Sequence, residues 1–243
     1  MKIQNSYKNM KNAHIPFIHN YCDRWCERCT HTQFCKVFDI EEKQKEVNAD
    51  SFDVTNQAFW NYLSQTLQSA METLQAKAQE LGIDLSADKP LQKAVSMNVA
   101  LEKLAKEYGI SISKWLNTKN ILLQEQAKAL VLIEEEKLNN FANAIEAIQW
   151  YGHFIGAKIH RALLSFESDN EADDENYDNL GSAKIALIAI QRSIDAFALL
   201  YNNLPEEETD ILNFLSDLTK MKKGLEIQFP TAWQFVRPGF DGI

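Results

Sequence analysis

Proline and glycine are scarce, five and eight among 243 residues, too few turn formers for a protein built of many short strands. Long apolar runs are missing too. None approaches the ~18 uninterrupted residues of a membrane span, and the opening Met-Lys-Ile-Gln-Asn-Ser-Tyr-Lys lacks the apolar centre of a signal peptide. Cations are outnumbered, 25 Lys and Arg against 34 Asp and Glu, for a net charge of −9. Binding to nucleic acid at large requires clustered cations, and Arg24 and Arg28 beside Trp25 are too few to supply them. These absences predict a cytoplasmic chain that binds neither membrane nor nucleic acid. Cysteine is absent from everything after residue 35.

What is present favours helices. Leu, Ala, Lys, Glu and Gln dominate, as long helices require, and a hydrophobic fraction of 45% is enough for a buried core. The fold class predicted is all-α, a helical bundle of about five or six helices with a short Cys-rich N-terminal metal-binding segment. Residues 1–45 form that segment, holding three of the five histidines and all four cysteines. Residues 52–243 form the bundle and an aromatic C-terminal tail. Acidity belongs to the bundle: residues 1–50 carry eight cations and seven anions, or +1, which leaves −10 of the −9 total for the rest.

Apolar positions step by three and four through Trp60, Leu63, Leu67, Ala70, Leu74 and Leu81, with Asp53 or Thr55 as N-cap and Gly82 as stop. A second helix is expected from Ala94 to a stop at Gly109. A third starts at Ser111 or Ser113 and carries Trp115, Leu122 and Leu130, and a break is expected near Asn139-Asn140. The fourth has Phe141, Ile148, Ile155 and Ile159 on one face. The acidic stretch from Glu167 to Asn179 reads as a surface loop. Residues 183–201 are apolar around most of the circumference, the mark of a central helix. Pro205 ends that helix, and a last one runs from Glu206–Asp210 to about Gly224.

The feature most charged with chemistry is Cys22-Asp-Arg-Trp-Cys26-Glu-Arg-Cys29-Thr-His-Thr-Gln-Phe-Cys35. Four thiolates complete a tetrahedral zinc site or the corners of a [4Fe-4S] cluster. In a reducing cytosol they are ligands more readily than disulfides. Zinc sites usually join two ligand pairs through a longer loop, whereas four cysteines within fourteen positions approach the compact spacing of cluster ligands. Both occupants stay open. Were the segment helical, spacings of four and three would put Cys22, Cys26 and Cys29 on one side of a turn. These three also resemble the C-x3-C-x2-C motif of the radical S-adenosylmethionine enzymes, over eight residues. That family carries its motif in a β/α barrel, and the strand-helix alternation of a barrel is missing here. His31, between Cys29 and Cys35, could replace one sulfur, yet a loop histidine is more often merely solvated.

Outside this segment, Glu146, His153, His160 and Glu167 recur every seven residues and form one polar stripe. Its simplest reading is a solvent-facing window. Bundles do build metal sites from inward carboxylates and histidines, but their Glu-x-x-His signature is missing. Arg192 and Asp195 interrupt the most apolar helix, where a charge must be paired. An Arg192–Asp195 pair, or a link from Asp195 to His153 or His160, would satisfy it. The acidic stretch lacks the Gly and terminal Glu of a calcium loop. Two functions follow. In the first, a zinc or iron-sulfur site on Cys22, Cys26, Cys29 and Cys35 stabilises a helical protein that meets a protein partner or forms a homo-oligomer. In the second, the bundle is an enzyme, redox-active through a [4Fe-4S] cluster or metal-dependent through Glu146, His153, His160 and Asp195, with Arg192 beside them.

Overall fold

A computed structural model describes residues 14–47, 57–80, 82, 94–132, 134–166 and 173–241. Among them six α-helices occur: α1 Lys36–Val47, α2 Gln57–Glu80, α3 Val99–Val131, α4 Glu135–Leu163, α5 Asp173–Tyr201 and α6 Glu208–Gln228. The all-helical expectation holds, with one small addition. Strands β1, Ala94–Ser96, and β2, Leu164–Phe166, pair antiparallel with Val95 opposite Ser165. The chain divides into two units, Met1–Ile15 with Thr30–Leu91 and Pro16–Cys29 with Gln92–Ile243. The N-caps expected at Asp53 and Thr55 lie outside the described residues.

The smaller unit holds a 3-10 turn at Thr32–Phe34, then α1 and α2. Ile15 N–H donates to Phe34 O at 2.9 Å, and His14 Nε2 meets Asp39 Oδ2 at 2.7 Å. Gly82 ends α2 as expected. Its φ of +66° is the left-handed cap conformation that glycine adopts without a Cβ clash, and its N–H reaches Gln79 O at 3.2 Å.

In the larger unit α3 packs on α4, α4 on α5, and α5 on α6. The side chain of Asn98 caps α3 by accepting from Leu101 N–H at 3.0 Å. This helix runs straight through Gly109, Ser111 and Ser113, so the expected second and third helices are one. Gly109 is a point of close approach instead of a stop. A Cβ there would stand 2.9 Å from His153 Nδ1 and 3.0 Å from the carbonyl oxygen of Gly152. No break occurs at Asn139-Asn140, which are interior to α4. The acidic stretch is likewise no continuous loop, because Asp173 to Asn179 form the start of α5, where carboxylates favour a helix N-terminus. Residues 167–172 of it lie outside the described set.

As the apolar circumference of 183–201 implies, α5 is the most enclosed element, and every residue from Gly181 to Leu187 is buried. That set includes Lys184. Its ammonium donates to the carbonyl oxygen of Phe235 and pairs with Asp241 Oδ2 at 2.7 Å, while Arg237 gives the same carboxylate two side-chain bonds at 2.9 Å. The tail is therefore a strap. It buries Phe229, Ala232 and Phe235 and leaves Trp233 exposed.

Two outcomes are expected. Gly181 lies beneath two rings, and a Cβ there would come within 2.4 Å of Tyr21 Cε1 and 2.8 Å of Phe235 Cζ. Gly181→Ala should therefore lower stability in urea denaturation by about 1–3 kcal/mol, as overpacking does. Burial pushes the Asp241 carboxyl up, but the Arg237 and Lys184 hydrogen bonds outweigh it and hold the group well below its usual range. A depressed carboxylate contributes stability that is complete above its unfolded pKa and lost as pH falls. Loosening of the strap, read from Trp233 fluorescence, should begin only below about pH 4, and Asp241→Asn should show it at neutral pH.

Candidate functional site: the cysteine segment

Residues Pro16 to Cys29 are held within the larger unit by apolar and charged anchors together. Ile18 and Tyr21 are buried. The Tyr21 ring meets Phe235 edge-on at 4.9 Å, and its hydroxyl donates to Asp178 at 3.3 Å. Burial, then the Asp178 charge, push this phenol up to about 12, so it stays a donor at neutral pH. Asp178 is itself gripped by Arg161 through bonds of 2.9 and 3.0 Å.

Asp23 is the hub. Its Oδ2 accepts from Tyr151 Oη at 2.8 Å and from Arg192 Nη1 at 2.5 Å, and Arg192 also donates to Tyr151 Oη at 2.6 Å. Its Oδ1 accepts from Trp25 N–H at 3.2 Å, and its backbone carbonyl accepts from Trp150 Nε1 at 2.9 Å. Burial and the Asp23 charge raise the Tyr151 phenol to about 12, which keeps the proton that makes this bond.

Trp25 stacks on Trp150 with ring centroids 5.3 Å apart and planes 15° from parallel. The guanidinium of Arg28 lies 4.2 Å above Trp25, a cation–π contact, and donates to Asn143 at 2.7 Å and to Glu146. Between Asp23 and Trp25 stands Arg24, whose φ of +59° is uncommon for a residue with a side chain. That reversal lets its two neighbours both reach α4. It also prevents the α-helix on which the one-sided placement of the sulfurs depends. Only Cys26–Arg28 is helical, as a 3-10 turn closed by Cys29 N–H on Cys26 O at 3.2 Å.

All four cysteines are half-buried thiols outside any disulfide. Cys22 Sγ donates to His19 O at 3.4 Å, and burial pushes its thiol up. Lys158 donates to Asn20 O at 3.1 Å, and burial pushes its ammonium down. Cys35 belongs to the smaller unit, where its carbonyl accepts from Asp39 N–H at 3.2 Å. Among the described residues no three His, Cys, Asp or Glu side chains are grouped to hold a metal ion. The donor set is that of a soft metal, and the metal-binding segment is not confirmed by the geometry.

The polar stripe does not converge. Glu146 is taken by Arg28, His153 Nε2 by Ser113 Oγ at 2.7 Å, and His160 Nδ1 by Glu102 Oε1 at 2.6 Å. Both histidines are exposed. Asp195 accepts from Gln191 at 2.9 Å, so Arg192 finds its carboxylate in Asp23 rather than in Asp195 or near the histidines. Glu167 lies outside the described residues. Asp23, Tyr151 and Trp150 are the residues that sequence reasoning missed. The signal was present, since a charge on an apolar helix demands a partner, but 169 residues separate Arg192 from Asp23. No helix among the described residues is long and apolar enough to cross a membrane. No family model, curated protein or solved structure matches this chain.

Asp23→Ala should remove about 1–3 kcal/mol, discounted for the half-exposed Arg192, and abolish the near-ultraviolet dichroism of the Trp25–Trp150 stack while the helical signal persists. Asp195→Ala should stay within about 0.5 kcal/mol, as an exposed residue does.

Proposed function

We propose that the protein is a metal-binding helical protein in which Cys22, Cys26, Cys29 and Cys35 hold one centre, zinc or a [4Fe-4S] cluster, with a structural or protein-interaction role. One observation carries the reading: the only four cysteines of the chain occupy fourteen consecutive positions. Thiols so concentrated form a donor set for which the chain has no other evident use. A second observation supports it. The segment bearing three of them is fastened to α4 and α5 by Asp23, Trp25 and Arg28, a large investment in buried and charged contacts for a stretch containing only one short 3-10 turn.

Sites of this kind are rarely preformed. Binding free energy then becomes folding free energy as the ligands gather, and soft thiolates select zinc or iron-sulfur over hard cations. When bound, the centre would cross-link its four sulfurs. The residues around it would hold their places: Asp23 the segment, Trp25 the stack, and Arg28 the bond to α4. Zinc makes the role structural. A cluster adds electron transfer, with Glu146, His153, His160 and Asp195 left to their separate partners.

Metal analysis and an absorption spectrum of anaerobically purified protein test the reading. The expected result is one zinc per chain with no visible band, or iron with sulfide and a brown colour, together with a stability loss of more than about 3 kcal/mol on Cys26→Ser. Metal-free protein whose stability is indifferent to Cys26→Ser would overturn it.

A further inference from the structure

Positive charge gathers around one of the four sulfurs. The thiol of Cys22 donates to the carbonyl oxygen of His19 at 3.4 Å, and the ammonium of Lys158 donates to the next carbonyl along, Asn20 O, at 3.1 Å. Consecutive carbonyls thus bring the sulfur and the ammonium to one turn of the segment. The backbone N–H of Arg24 is a further donor to that sulfur, from a residue whose φ of +59° is uncommon for one with a side chain. Arg161 follows Lys158 by one turn of α4, a spacing at which like charges repel.

The nearby carboxylates do little to offset this crowding. Asp178, whose charge Lys158 feels, is already held by two bonds from Arg161 and one from Tyr21. Asp23, whose charge opposes an anion on Cys22, is engaged by Arg192 and Tyr151. Of the groups that support the Lys158 ammonium, Cys22 does so more than Asp178. A half-buried cation calls for an anion, and the sulfur beside it is the group able to become one.

A metal centre on four thiolates is anionic, because the sulfurs outweigh the two charges of Zn2+, and a cluster on four thiolates is anionic likewise. In a chain of net charge −9 that adds like charge to like, so cations have to stand beside it. We propose, on the metal-binding reading above, that Lys158 and Arg24 are positioning residues for the centre, holding Cys22 as its thiolate ligand through their charges and the Arg24 N–H. They touch the sulfur's surroundings and not the metal. A free oxyanion is the rival occupant of the same charges, but the sulfur already sits among them.

Zinc titration of the metal-free full chain against a chromophoric chelator, in reducing anaerobic buffer at neutral pH, tests the assignment. Lys158→Gln keeps a donor for Asn20 O but loses the charge, and should bind zinc about tenfold more weakly than wild type. Lys158→Arg should restore the affinity to within about threefold, and ~1 M salt should narrow the gap between Lys158→Gln and wild type by screening. Near-ultraviolet dichroism of the Trp25–Trp150 stack reports whether the segment stays docked. Should Lys158→Gln fold poorly, Arg24→Gln, at an exposed side chain, should weaken zinc binding in the same direction. Equal zinc affinity in Lys158→Gln and wild type would overturn the assignment while leaving the metal reading in place. So would a Lys158→Arg chain as weak as Lys158→Gln, or inorganic phosphate bound through Lys158 with zinc affinity unmoved. A wild-type chain that takes up no zinc would overturn both.

Discussion

A helix that is apolar around most of its circumference has little it can show to water, and α5 imposes that constraint on everything about it. Two helices cannot enclose it. The faces left by α4 and α6 are closed by pieces with little regular structure of their own: the C-terminal strap, through Phe229, Ala232 and Phe235, and the cysteine segment, through Tyr21. The two cations that enter this enclosure bring partners. Lys184 brings Asp241 and a carbonyl, and Arg192 brings Asp23 and Tyr151. Both pairs tie a terminal stretch of chain to α5, so the charges that burial would penalise if single serve as the fastenings of the two coverings.

Legibility in the sequence followed the range of the interaction. The central helix, the α2 stripe and the Gly82 cap are encoded within a few turns, in the period of apolar residues and in one glycine after the last of them, and all were readable. Gly109 misled because glycine has two uses. As a helix stop it is a local signal, but here it admits the backbone of Gly152, which a single chain read in order does not disclose. The start of α5 misled for a related reason. Carboxylates solvate a loop and equally favour a helix N-terminus, so composition alone did not separate the two.

The candidate site divides the same way. Four sulfurs in one short stretch are visible at a glance, and the soft-donor reading rests on them alone. That Arg192 needed a carboxylate was also visible. Which carboxylate was not, since Asp195 is one turn away and Asp23 is on another part of the chain. The histidines illustrate the reverse: a seven-residue spacing truly places them on one face of α4, yet a shared face is no pocket, and Ser113 and Glu102 of α3 take one ring each.

The two rings that meet over Gly181 have a consequence in time. Tyr21 is made more than two hundred residues before Phe235, yet each completes the other's surroundings on α5. Contacts so distant in sequence are among the slowest to form because their closure entropy must be met first. A nascent chain therefore carries Cys22, Cys26 and Cys29 through the synthesis of more than two hundred further residues before both coverings of α5 can close. Throughout that interval these sulfurs lack the contacts that half-bury them in the folded chain.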